Sequence, residues 1–210
     1  MKSNDWLNRQ KNDFYVKKAK KQGYLSRASY KLIEINKKFK ILEKSKKILE
    51  FGAAPGGWCQ VALDINPKIQ ITALDLLDLK INHPRIKFYK QDYLQFNYNN
   101  FEINFDLILS DIAPNTTGHQ STDHLRITNI LFDILALLDK VLINEGTFVA
   151  KIWKGSEEKD LVNSIKKKFK LVSYFKPDSS RKDSAEIFII ARNFVKLITP
   201  AFETLYAMCL

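Results

Sequence analysis

Seven stretches of the chain are apolar runs of strand length: KKILEFG (46–52), IQITALDL (69–76), RIKFYKQD (85–92), FDLILSD (105–111), GTFVAKIW (146–153), KLVSYFK (170–176) and AEIFIIAR (185–192). Between them the apolar positions change to helical spacing, in WCQVALDI (58–65), in STDHLRITNILFDILALLDKVLI (121–143) and in EEKDLVNSIKKKF (157–169). Ser156 is placed to cap the last of these, which has acids in its first turn and lysines in its last. A further helix is expected between Ser26 and about Lys44, with Tyr30, Ile33 and Phe39 among its buried residues. Strands alternating with helices predict an α/β fold, a mainly parallel sheet covered on both faces. The link PDSSRKDS between the last two strands is too short for a helical crossover, so those strands should pair antiparallel at or near one edge. No internal repeat or low-complexity linker divides the 210 residues, which read as one domain.

Charge changes this picture in one place. Residues 1–47 carry 15 Lys and Arg against 4 Asp and Glu, whereas residues 48–210 carry 19 of each. A compositional bias would spread lysine along the chain, so the first segment reads as a docking element for a polyanion. No apolar run approaches the roughly 18–20 residues of a membrane helix, and the N-terminus lacks a signal-peptide core. Cys59 and Cys209 are far apart and lack metal-ligand spacing, which points to a reducing compartment: the cytoplasm or, alternatively, a mitochondrial or other organelle matrix. His83, His119 and His124 also lack ligand spacing and read as surface residues rather than catalysts.

The candidate chemistry begins in EFGAAPGGWCQ (50–60), between the first strand and the first core helix. Its loop, with Gly52, Ala53, Pro55, Gly56 and Gly57, is neither GxGxxG nor a Walker loop, which disfavours a pyrophosphate cradle and a nicotinamide dehydrogenase. The second strand ends at Asp75, where an acid commonly holds a ribose hydroxyl, and the third is followed by Asp92, suited to an adenine amino group. A nucleoside among acids, without a diphosphate, fits S-adenosylmethionine, whose sulfonium is cationic. Lys151 lies inside a strand-like run, where burial is costly without a partner and a task.

Six motifs, SRASYKL (26–32), EFGAAPGGWCQ (50–60), ALDLLDL (73–79), FDLILSDIAPNTTG (105–118), FVAKIWKG (148–155) and KPDSSRKDSAEIFIIAR (176–192), occur in the order found in a known family. Across roughly residues 13–194 the chain resembles the FtsJ family, also called RrmJ or RlmE, of ribosomal RNA 2′-O-methyltransferases. The resemblance implies a Rossmann-like S-adenosylmethionine-dependent methyltransferase fold with a seven-stranded, mostly parallel sheet and helices on both faces. It implies a catalytic tetrad at Lys31, Asp111, Lys151 and Glu186, and donor contacts at Gly56, Trp58, Asp75, Asp92 and Asp111, with S-adenosylhomocysteine as product. Glu50 stands where many members have Asp, and Cys59 where Ser is common.

In this reading Lys151 is the base for a ribose 2′-hydroxyl, Lys31 stabilises the developing charge, Asp111 and Glu186 orient the lysines, and no metal is needed. Lys17, Lys18, Lys20, Lys21 and Arg27 are candidates for phosphate contact. The ribosomal branch of the family it resembles has compact chains like this one, so the resemblance implies ribosomal RNA or the large ribosomal subunit as partner, specifically the A-loop uridine; a monomer is expected. Alternatives are a tRNA or cap 2′-O-methyltransferase, a base-methylating enzyme and a non-catalytic assembly factor. Base methylation is disfavoured because Asp111-Ile112-Ala113-Pro114 lacks the second proline and the aromatic that stacks a flipped base. The chain divides into a basic docking segment (1–47), a catalytic core (48–194) and a tail (195–210) without an assigned role.

Overall fold

The computed structural model describes residues 11–100, 105–113, 119–153, 155, 158–181 and 184–196. Seven strands form one sheet: β1 (Lys47–Phe51), β2 (Gln70–Asp75), β3 (Ile86–Lys90), β4 (Phe105–Ser110), β5 (Leu142–Trp153), β6 (Phe169–Phe175) and β7 (Glu186–Phe194). Their order is β3-β2-β1-β4-β5-β7-β6. β7 alone runs antiparallel, between β5 and β6, so the short link before it does make an antiparallel pair, with β6 as the edge. Among the described residues five α-helices accompany the sheet: α1 (Phe14–Gln22), α2 (Ala28–Phe39), α3 (Gly57–Ile65), α4 (Gln120–Val141) and α5 (Glu158–Lys168).

Side chains alternate across the sheet and build two cores. Leu49 and Phe51 of β1, Ile108 of β4, and Phe148, Ala150 and Ile152 of β5 pack against the apolar faces of α4 and α5. Ile48, Leu107, Leu109, Val149, Phe188 and Ile190 pack on the other side, against Leu32 and Ile35 of α2 and Trp58, Val61 and Ala62 of α3. Strand periodicity therefore turns Lys151 and Glu186, in step with Val149 and Phe188, toward the face that α2 covers.

Two expectations need adjusting. Tyr30 is buried, but Ile33 and Phe39 are only half-buried; Leu32 and Ile35 are the core residues of α2. β5 begins at Leu142, directly after α4, because Leu142 pairs with Phe105 ahead of an irregularity in the β4–β5 register. The proposed cap at Ser156 lies outside the described residues. α1 was not foreseen. Asp13 caps it, its Oδ1 accepting from Tyr15 N at 3.0 Å and Val16 N at 3.2 Å, and Gly23 ends it at φ +78°. It docks through buried Ala19 and through Tyr15, whose ring centroid is 5.4 Å from that of Tyr30. No described helix is long and apolar enough to cross a membrane.

Candidate active site

Four charged side chains from four elements meet on the α2 side of the sheet. Asp111 follows the last residue of β4, Lys151 sits in β5, Glu186 opens β7 and Lys31 descends from α2. Lys151 Nζ donates to the Asp111 backbone oxygen at 2.8 Å and lies 2.9 Å from Asp111 Oδ1. Lys31 Nζ is 3.9 Å from the same Oδ1 and 2.8 Å from Glu186 Oε2. The result is an alternating row, Lys151, Asp111, Lys31, Glu186, with no net charge.

Balance of this kind is what a water-poor site requires. The Lys151 side chain is 5% exposed, inside the sheet and not on an edge. Burial alone would raise the Asp111 carboxyl, but Lys151 and Lys31 outweigh it and hold the group below its ordinary range. The far oxygen of Glu186 is fixed as well: Ser180 Oγ donates to Oε1 at 2.8 Å. Neither composition nor periodicity singles out Ser180, which lies in the KPDSSRKDS stretch and is buried.

The acids expected to hold a nucleoside line up at neighbouring strand ends. Asp75 closes β2, its two oxygens accepting from Ala54 N and Leu77 N, both at 2.8 Å. Asp92 follows β3 and accepts from Leu94 N at 2.9 Å. Leu76, Leu77 and Leu94 are exposed beside these acids. The glycines of the 52–57 loop serve the protein itself. A Cβ on Gly52, at φ +73°, would stand 2.9 Å from the Ile112 backbone, and one on Gly57 would stand 2.4 Å from Ser26 Oγ. Bare backbone here lets the loop close on the segment carrying Asp111 and on the start of α2. Ala53, Gly56 and Gly57 are buried, Gly52 and Pro55 half-buried. Trp58 is 2% exposed, and its indole Nε1 donates to Ala28 O at 2.8 Å, which ties the start of α3 to the start of α2.

Beneath the loop lies a pair that sequence reasoning noted only as departures. Glu50 is 2% exposed, and the Cys59 thiol donates to its Oε2 at 3.0 Å. Burial pushes the Glu50 carboxyl up to about 8, the Cys59 hydrogen bond opposing and the charges of Asp111 and Asp75 adding to the rise. His124 is a correction: it is 7% exposed, with Nε2 2.9 Å from the Trp153 carbonyl oxygen, because α4 packs over the end of β5. The Pro114 to Gly118 part of the loop that bears on base methylation lies outside the described residues.

Of the basic candidates, Lys17, Lys20 and Lys21 on α1 are exposed, while Lys18 is half-buried with Nζ 4.6 Å from the Tyr30 ring centroid. Arg27 lies off α1, beside Lys31, and is held in an ion pair with Asp13. Among the described residues no three of His, Cys, Asp and Glu cluster as a metal site would need.

A parallel sheet entered late by one antiparallel strand, with acids at successive strand ends and a buried Lys-Asp-Lys-Glu row, defines an α/β methyltransferase. The family model described as FtsJ-like methyltransferase matches residues 24–194. The chain therefore belongs to the FtsJ-like methyltransferase family. It is 42% identical over 202 residues to the ribosomal RNA large subunit methyltransferase E of Rickettsia bellii, covering 91% of this chain and 88% of that protein. The protein of that name from Rickettsia felis is 41% identical over 202 residues, with the same coverage. Among solved structures, a ribosomal RNA methyltransferase of Plasmodium falciparum superposes with a TM-score of 0.71 at 30% identity, over 82% of this chain and 100% of that one.

Proposed function

We propose that the protein methylates a ribose 2′-hydroxyl of RNA with S-adenosylmethionine as donor, and that its target is the A-loop uridine of large-subunit ribosomal RNA. The observation that carries the chemistry is the neutral row of Lys151, Asp111, Lys31 and Glu186, buried at the ends of β4, β5 and β7. The names of the relatives support ribosomal RNA as substrate.

Three features support the donor: Asp75 and Asp92 stand at the ends of neighbouring strands, where they would take ribose hydroxyls and an adenine amino group, exposed leucines flank them, and the acids suit a cation. Backbone of residues 52–58 would hold the amino-acid end, beside Asp111. When bound, S-adenosylmethionine supplies a methyl group already activated by its sulfonium. The protein's task is then the nucleophile, because a ribose hydroxyl is weak at neutral pH. Lys151, as the free amine, takes the hydroxyl proton on its lone pair and so becomes the ammonium that makes the row neutral. Two of its nitrogen's directions are committed to Asp111, leaving the third for the substrate oxygen. Asp111 stays ionised and fixes that direction. Lys31 faces the negative charge that grows on the oxygen, and Glu186, held by Ser180, keeps Lys31 aimed. The 2′-hydroxyl selects RNA over DNA. Residues 1–47 dock the RNA through Lys17, Lys18, Lys20 and Lys21, residues 48–194 form the catalytic core, and the protein works as a monomer on large ribosomal subunits in the cytoplasm.

The test is methyl transfer from labelled donor to large subunits lacking 2′-O-methylation, with the product mapped. One labelled ribose is expected, and Lys151→Ala should reduce the rate by about 10²–10⁴-fold, the usual worth of a positioned base. Label on a base, or none on any RNA although donor binds, overturns the reading.

A further inference from the structure

Beside the tetrad is a pocket of about 200 Å³ lined by Arg27, Lys31, Arg181, Ser184 and Glu186. Among the described residues its lining carries three cations and one carboxylate, and with Asp13, which pairs with both arginines, the cluster is still one charge positive. One wall is the Lys31–Glu186 ion pair, so anything seated in the pocket adjoins the oxygen that Lys31 would face.

The two arginines are not free. Asp13 Oδ2 pairs with Arg27 Nη1 and stands 3.5 Å from Arg181 Nη2, while Arg27 Nη2 donates to the Ser179 carbonyl. Arg27 Nε is buried without an acceptor among the described residues. A single carboxylate oxygen thus serves two guanidiniums of an acceptor-poor cluster, the kind of fork that grips phosphate oxygens. The other oxygen of Asp13 is spent on the cap of α1. In RNA the phosphodiester on the 3′ side of a ribose is joined to the carbon next to the one bearing the 2′-hydroxyl.

We propose that this pocket is the subsite for the phosphate adjoining the target ribose, gripped by Arg27 and Arg181, and that the Asp13 carboxylate holds its place until RNA displaces it. The proposal rests on the RNA methyltransferase reading and adds to it a specific anchor and its internal competitor. Displacement leaves α1 capped, because Oδ1 is not involved, and frees both guanidiniums for the substrate.

Equilibrium binding of a fluorescent single-stranded RNA oligonucleotide, titrated across salt concentrations, tests this apart from methyl transfer. Asp13→Asn keeps a capping oxygen, since Asn caps as well as Asp, but replaces the competing oxygen with an amide. It should tighten RNA binding by about 3–10-fold through release of the two cations. Arg181→Gln should weaken binding about 10-fold and lower the slope of log affinity against log salt by about 0.7, the value for one phosphate contact on a single strand. In the double variant the tightening should shrink. Unchanged or weaker binding in Asp13→Asn, with its melting temperature preserved, makes Asp13 a structural tie only and overturns the proposal. If Asp13→Asn melts early, Arg181→Gln decides alone, and an unchanged slope overturns the subsite. Normal ribose methylation with binding insensitive to Arg181 removes the subsite and leaves the function standing; the expected binding pattern with no ribose methylation does the reverse.

Discussion

The buried Glu50 gives a prediction that needs no substrate. The carboxyl titrates near 8 in the fold and near 4.5 when exposed, so between those values the folded protein holds a proton that the unfolded chain has released. A group raised in this way contributes stability that is fully present below the unfolded value and is lost as pH rises through the folded one. The loss runs at about 1.4 kcal/mol per pH unit while only the folded state is protonated. From about pH 5.5 to about pH 8.5 it amounts to about 3 kcal/mol, a large part of the 5–15 kcal/mol that holds a typical domain together. Glu50→Gln removes the titration and keeps the shape. Its amide oxygen can still accept from Cys59, and the new NH₂ group, if unpaired, costs about 1–3 kcal/mol at every pH. The offset between variant and parent is therefore not diagnostic; its change with pH is. Urea unfolding of both proteins should show the variant gaining about 3 kcal/mol relative to the parent across that window, because all other groups titrate alike in the two. Parallel curves would mean that Glu50 is ionised in the fold, and the reasoning from its burial would fail.

Three further outcomes follow from the site. Ser180→Ala should lower turnover about 10-fold with little change in RNA affinity, since one charge-assisted hydrogen bond to Glu186 is lost; an unchanged rate constant for methyl transfer would show that Lys31 alone holds that carboxylate. Gly52→Ala places a methyl group 2.9 Å from the Ile112 backbone at a φ of +73°, and thermal unfolding should record a loss of about 1–3 kcal/mol. Asp111 is held below its ordinary 3.8, so it contributes stability present above that value and lost as pH falls through the folded one. Acid titration of Asp111→Asn should accordingly show a flatter acid limb than the parent, and coincident limbs would contradict the pairing.

The strands were legible because a parallel sheet buried on both faces writes itself as near-continuous apolar runs, as in FDLILS and QITALD. The antiparallel entry of β7 was legible from link length alone. The tetrad was legible only in part from residue chemistry: a lysine inside FVAKIW asks for a partner, but its partner Asp111 lies forty residues away and Lys31 on another element. Family resemblance supplied what periodicity could not. α1 escaped because it buries only Ala19, too little for a hydrophobic stripe, although Asp13 before it and Gly23 after it are ordinary start and stop signals. Ser180, Arg181 and the Asp13 carboxylate escaped for a different reason. Asp13 and Arg181 meet across 168 positions, which no local pattern encodes, and Ser180 meets Glu186 only six positions on, through an irregular link that has no periodicity to read.

The position of β7 also bears on synthesis. Of the seven strands it leaves the ribosome last, yet it belongs between β5 and β6, not at a margin. Until it arrives, β5 and β6 each present an unpaired edge, and the nascent chain carries Lys31, Asp111 and Lys151 without the carboxylate that aims Lys31. The Lys-Asp-Lys-Glu row is therefore completed only as the final strand threads into its slot, a non-local step of the kind that folds slowly. Nascent chains halted before Glu186 should lack methyltransferase activity and need shielding from edge-to-edge association.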